Sequence, residues 1–262
     1  FTRTGRARYN SVEAWRGPSR IDGAPIMVIV TGLRVQSANP KTGAMVQSYI
    51  LRRDVPPLEA LRRGLDAAVC GGCGLKAKSF DGRRWKGRGC YVRVDLAPRG
   101  LYVAWTRGSI PQVSPAELSE LTAGRTVRLG AYGDPAAAPI EVWHAYTAFA
   151  SGWTGYTHQA SNPKLRDVLR YCQVSADGPL DAHAAHAAGT GSFRVLTAGE
   201  TPLPFEERCP ASAEMGRVTT CARCLKCSGS KGAHIAIEAH GGGARQILPS
   251  RRRGVSLPVM VA

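Results

Sequence analysis

The stretch Thr126-Val-Arg-Leu-Gly-Ala-Tyr-Gly-Asp134-Pro-Ala-Ala-Ala-Pro-Ile140-Glu-Val-Trp-His-Ala-Tyr-Thr147-Ala-Phe-Ala150-Ser-Gly-Trp-Thr154-Gly-Tyr-Thr-His158 decides the fold, because it reads as strand, turn, helix and strand. Thr126–Ala131 and Thr154–His158 are β-rich, and between them Ile140, Trp143, Thr147 and Ala150 recur at helical spacing, with Thr147 the least apolar member. Two strands joined through a helix are parallel neighbours, since an antiparallel pair needs only a short turn.

The same alternation extends in both directions. Strands are expected at Tyr91–Asp95, Leu101–Trp105, Tyr171–Ser175, Ser192–Leu196 and His234–Glu238. Ser114-Pro-Ala-Glu117 has the pattern of a capping box with proline at the first helical position, and Asn162-Pro163 opens Lys164–Arg170 in the same way. Strand-then-helix units of roughly 20 to 25 residues predict an α/β fold with a mostly parallel sheet. A (β/α) barrel, closed, incomplete or open, is the first expectation, and an open doubly wound sheet is the second.

Nearer the start, Pro25–Leu33 and Met45–Leu51 flank the turn-rich Asn39-Pro-Lys-Thr-Gly43 and predict a β-hairpin. Leu58, Leu61, Leu65 and Ala68 then predict a helix ending at Cys70. The expected organisation is a basic arm over 1–25, a single α/β domain over 26–245 and a basic tail over 246–262. Within the domain lie the hairpin (26–55), a cysteine-rich basic loop (70–90) and a metal-binding segment (209–240).

Charge points to the partner. Among 262 residues, 35 Lys and Arg stand against 19 Asp and Glu, a net +16, which suits a polyanion such as DNA or RNA. Acidic lipid is the weaker fit. The N-terminal arginines Arg3, Arg6, Arg8, Arg16 and Arg20 read as a solvated arm able to lie along phosphates. The opening Phe-Thr-Arg-Thr-Gly-Arg lacks the apolar core of a secretory signal, and no window has the length of apolar sequence that spans a bilayer. A cytoplasmic protein is expected. In a reducing compartment eight cysteines read as metal ligands or reactive thiols before disulfides.

Two cysteine groups follow. Cys221-x2-Cys224-x2-Cys227 suits zinc, with Cys209, His234 and His240 competing to supply the fourth ligand. Cys70, Cys73 and Cys90 form a looser set that suits zinc with one further ligand, an iron–sulfur cluster, or reduced free thiols. Lys76, Lys78, Arg83, Arg84, Lys86 and Arg88 interleave with Phe80 and Trp85 in a loop that suits phosphate tracking and base stacking, or plain solvation. Cys172 reads as a buried thiol, His144 as packing or surface, and His183 and His186 as a solvated helix face.

Catalytic candidates lie where strands end. Asp134, His158 and Asp177 occupy polar turns after strands, on the face where α/β folds build active sites. Either aspartate also suits helix capping, since Asp134 precedes Pro135 and Asp177 precedes Gly178-Pro179. Two carboxylates on one face suit a division between nucleophile or base and general acid.

Taken in order, these segments resemble a family of cysteine-rich bacteriophage proteins. The shared pattern is Asn39 to Gly43, Cys70 and Cys73, Gly89-Cys-Tyr91, Gly133-Asp134, Tyr156-Thr-His158, Ser175-Ala-Asp177, Cys209-Pro-Ala211, Thr220 to Cys227, and His240-Gly241. The departure is Gly71-Gly72-Cys73-Gly74, where the family has prolines after the cysteines. In architecture and cluster type alone, the chain is also similar to queuine tRNA transglycosylases and their phage DNA-modifying relatives. That resemblance implies exchange or modification of a nucleic-acid base, a small-molecule base or nucleotide as second substrate, and Asp134 and Asp177 as nucleophile and acid or base with His158 nearby.

Overall fold

The structure is a computed structural model, and it describes residues 7–83, 85–229, 232–241 and 244–247. The chain is a mixed α/β protein on two five-stranded sheets. Strands β1 (Ser11–Pro18), β2 (Pro25–Thr31) and β3 (Val46–Arg52) come first. β2 and β3 form the expected antiparallel hairpin, in register from Ile26 opposite Arg52 to Thr31 opposite Gln47. Ile26 to Val30 are wholly buried, as expected of a strand covered on both faces.

The basic arm is corrected by β1. Residues 11–18 pair antiparallel with β2, with a bulge between Glu13 and Trp15, and Val12 and Ala14 enter the core. Glu13 is buried but paired: its carboxylate accepts from Arg16 Nη2 at 3.0 Å and from Trp105 Nε1 at 2.6 Å. Arg20 reaches Asp167 at 3.0 Å and the Lys164 carbonyl at 2.8 Å. These arginines therefore bind the chain itself. Arg3 and Arg6, like the tail beyond 247, lie outside the described residues.

The predicted helix at 58–68 is split. Helix α1 (Pro57–Arg62) stops before Gly64, whose φ of +70° turns the chain, and α2 (Ala67–Cys70) resumes it. A two-stranded ribbon, β4 (Ser79–Phe80) and β5 (Trp85–Lys86), follows. Neither strand expected at 91–95 or 101–105 forms. Residues 91–93 run outside any ladder, and 101–105 belong to α3 (Ala97–Thr106), opened by Pro98. β-prone residues there pack as a helical face: Tyr102 bonds the Arg53 carbonyl, and Trp105 bonds Glu13.

Helix α4 (Pro115–Thr122) carries the capping box, with the Ser114 side chain accepting from Glu117 N and Glu117 accepting from Ser114 N. β6 (Thr126–Tyr132), α5 (Ile140–Thr147), β7 (Gly152–Thr154) and β8 (Tyr156–Thr157) realise the strand–helix–strand unit. The Thr147 hydroxyl is tolerated in the apolar stripe because it donates to the Trp143 carbonyl one turn back, at 2.8 Å. Residues 163–170 form a 3-10 helix, with Asn162 Oδ1 accepting from Lys164 N. Then come β9 (Gln173–Ala176), α6 (Pro179–Ala187), β10 (Ser192–Leu196), β11 (Glu207–Arg208), α7 (Cys221–Cys224) and β12 (His234–Glu238).

The first sheet has the order β1-β2-β3-β6-β7, and the second β11-β12-β10-β9-β8. From β3 onward every neighbouring pair in these two sheets is parallel. Only Gly155 separates β7 from β8, so the sheets meet on one broken strand. A Cβ at Gly155 would lie 2.8 Å from Cys172 Sγ, which is why the join is glycine. Cys172 is buried, as read from sequence. Among the described residues the ladders end at β1 and β11, and no helix is long and apolar enough to cross a membrane.

Candidate functional site

Alternate residues of the parallel strands share one face. Arg128 and Tyr132 of β6, Tyr156 of β8, Ser175 of β9, Phe193 of β10 and Ile237 of β12 line a single cavity of about 160 Å³. Strands of both sheets contribute, so the concave wall is continuous across Gly155. Arg128 enters it from an otherwise apolar strand. Its Nη2 donates to Tyr91 Oη at 2.6 Å, and its guanidinium lies 5.9 Å from the Tyr156 ring centroid. The Arg128 Nε is buried with no hydrogen-bond partner among the described residues.

Tyr91 is 46% exposed and stands at the cavity with His240, their ring centroids 5.5 Å apart. His240 Nδ1 is 3.0 Å from the Glu238 carbonyl. This histidine thus belongs to the large cavity, away from the late cysteines.

Asp134 is buried and fully engaged. One oxygen accepts from Ala136 N at 3.0 Å and Thr157 Oγ1 at 2.8 Å. The other accepts from His158 N at 2.7 Å and Gln159 Nε2 at 3.3 Å. This is the capping role, extended into a scaffold that fixes residues 157–159. Asp177 differs: its side chain is 42% exposed, and Oδ1 lies 3.1 Å from His158 Nε2. Burial alone would lower the His158 pKa, but nearby Cys73 and Asp177 outweigh it and raise the pKa well above its ordinary value.

Cys70, Cys73 and Cys90 line the same cavity beside His158. The first two are linked by a turn in which Cys73 N donates to the Cys70 carbonyl at 3.3 Å, and Cys90 N donates to Leu75 O at 2.8 Å. Burial raises the Cys70 pKa well above its usual value, with Cys73, Asp66 and Cys90 adding to it. Burial likewise raises Cys90, with Cys73 contributing.

The late group is completed by a thiol. Cys209, Cys221, Cys224 and Cys227 line one small cavity. Burial, reinforced by the other three sulfurs, pushes the Cys227 thiol up to about 12 although a Tyr156 contact opposes it. His234 points elsewhere, 2.9 Å from Ser192 Oγ and 3.1 Å from His186. Leu225, in the left-handed region at φ +52°, turns the chain between Cys224 and Cys227. The turn at Asn39–Gly43 docks here, with Cys221 N donating to Lys41 O at 2.8 Å and Ala222 N to Thr42 O at 3.1 Å. Among the described residues, no three His, Cys, Asp or Glu side chains are already drawn into a metal shell.

The basic loop is partly spoken for. Lys76 lies 3.4 Å from Asp66, Lys86 lies 3.6 Å from Asp81, and the Arg88 guanidinium donates to the Val92 carbonyl. The Lys78 stem packs over Gly87, and Arg83 is exposed. Arg84 and the Trp85 side chain lie outside the described residues. His183 and His186 are not a bare solvated face: both rings contact Phe205, with centroids at 5.1 and 4.2 Å. His144 sits on the surface of α5, 3.3 Å from Tyr171 Oη.

Arg128 and Phe193 were not among the sequence candidates, and Tyr91 and Tyr156 stood inside recognised motifs without a role of their own. A readable trace existed for Arg128, a charge in the middle of Thr-Val-Arg-Leu-Gly-Ala-Tyr. No family model matches the chain, and neither a curated protein nor a solved structure matches it.

Proposed function

We propose that this protein is a phage-type metalloprotein that takes a base of DNA or RNA into the cavity and modifies or exchanges it. The observation that carries the reading is the cavity itself, lined by Asp134 and His158 with Asp177 in the small cavity that adjoins it at His158, because a protein that only tracked phosphates would need no such pocket. The net charge of +16 would concentrate a polyanion at the surface. Tyr91, Tyr156 and Phe193 offer aromatic faces to a planar heterocycle, and the unpaired Arg128 Nε offers a donor to an acceptor on its edge. The parallel strands act as an open, barrel-like wall around it.

Of the two candidate aspartates, Asp177 carries the catalytic role in this reading. Its carboxylate is accessible and oriented by His158, whereas each Asp134 oxygen already accepts two hydrogen bonds. Asp134 then serves by holding the 157–159 turn. The four late thiols fit zinc as a closed, structural set of four thiolates, because they converge on one cavity. Zinc there would tie the Asn39–Gly43 turn, α7 and β12 together.

Binding to single-stranded oligonucleotides with and without one abasic position tests the pocket. The intact strand is expected to bind about tenfold tighter, given that stacking a base is worth roughly 1–3 kcal/mol. Arg128→Met should erase most of that difference. Equal affinity for both strands in the native protein would instead support a binding protein that reads the backbone alone.

A further inference from the structure

We infer that Cys70, Cys73, Cys90 and His158 form a second zinc site in the cavity wall, with Asp177 holding the histidine in place. The four side chains come from three separate stretches, the end of α2, the segment after β5 and the end of β8, and all line the same cavity. The fold goes to some length to bring them together. Gly71, at φ +55°, lies so close to Gln159 that a Cβ would sit 2.4 Å from its amide nitrogen. A Cβ at Gly74 would sit 2.7 Å from the Asp177 carboxylate. The Cys70–Cys73 loop is thus pressed onto both flanks of His158, and its glycines are there to permit that approach.

His158 Nε2 faces Asp177 Oδ1 at 3.1 Å, so the carboxylate occupies that ring nitrogen and leaves Nδ1 as the one able to ligate a metal. Three thiols and an imidazole gathered in one wall have the composition of a closed tetrahedral zinc site. A carboxylate on the ligating histidine is the usual second partner of such a ring. Zinc would bind the thiols as thiolates, release their protons, and lock the 70–74 and 89–91 segments against β8. His158 would then be a ligand, and Asp177 would share its carboxylate between the ring and the small adjoining cavity. The inference goes beyond the nucleic-acid reading and stands without it, because no substrate enters the argument or the test.

The test uses the full chain, loaded with zinc and freed of excess, with metal content measured and every cysteine mapped by alkylation and mass spectrometry. Cys70, Cys73 and Cys90 should resist alkylation with zinc bound and become labelled once the metal is chelated. Cys73→Ser should lose one zinc per chain and expose Cys70 and Cys90, while Cys221, Cys224 and Cys227 stay protected. His158→Gln should release the same zinc to chelator more readily, and Asp177→Asn should weaken its affinity about 10- to 100-fold. If the serine variant fails to fold, the comparison of native protein with and without zinc still decides. Equal alkylation of the three thiols in both states would overturn the site. So would an iron–sulfur absorption band from these cysteines, or identical zinc retention by the native protein and His158→Gln.

Discussion

Asp134 and Asp177 are the same residue type placed before proline-containing turns, yet their surroundings give them opposite work. Asp134 satisfies four buried donors, so Asp134→Ala leaves them unpaired. We expect a loss of about 2–4 kcal/mol in urea denaturation, at the scale of unsatisfied buried hydrogen-bonding groups. A second carboxylate gives a pH prediction. Glu200 holds its pKa below the ordinary carboxylate value because, although burial opposes it, Thr197 and Arg194 donate to the charged form. A depressed folded pKa contributes stability above the unfolded pKa and loses it as pH falls through the folded one. The stability advantage of the native protein over Glu200→Gln should therefore be full at neutral pH and shrink below the usual value of 4.5. Capping by Asp134 was legible in the sequence because proline follows it. The Arg128–Tyr91 contact was not, since it joins residues 37 apart through a fold no local pattern encodes.

Elements with a strong apolar period were legible: the β2–β3 hairpin, β6, α5, β10 and β12 stand where their patterns placed them. The failures share a cause in long-range pairing. β1 was hidden because its charged residues, Glu13 and Arg16, look solvent-bound until seen to neutralise each other over the core. Leu101–Trp105 has β-prone composition, but Pro98 opens a helix whose aromatic residues find partners on β1 and after β3. The late cysteine segment also depends on a distant element, the turn at Asn39–Gly43. Gly43 sits at φ +66°, and a Cβ there would lie 3.0 Å from Thr220 Oγ1. Gly43→Val should cost about 1–2 kcal/mol from backbone strain and crowding, seen as a lowered thermal midpoint. The same variant should alkylate Cys221 and Cys224 faster than the native protein does.

For the whole molecule, a mixed α/β fold with mostly parallel strands was legible in the strand–helix alternation. What could not be anticipated is the join at Gly155, where one broken strand lets two sheets share a concave face. Nor could the sequence decide the fourth member of the late cluster, because Cys209 reaches it through the parallel pairing of β11 with β12. If nucleic acid is the partner, affinity should fall steeply with salt as phosphate counterions are released, with a log–log slope of about −0.7 per phosphate contact on single strands. Base modification or exchange is tested most directly by mass spectrometry of nucleosides from DNA and RNA incubated with the full chain and a pool of free bases and deazaguanine precursors, beside Asp177→Asn. A new nucleoside made by the native protein and absent with the variant is expected, with both proteins binding the strand equally. An identical nucleoside profile from the two, at equal binding, would contradict it.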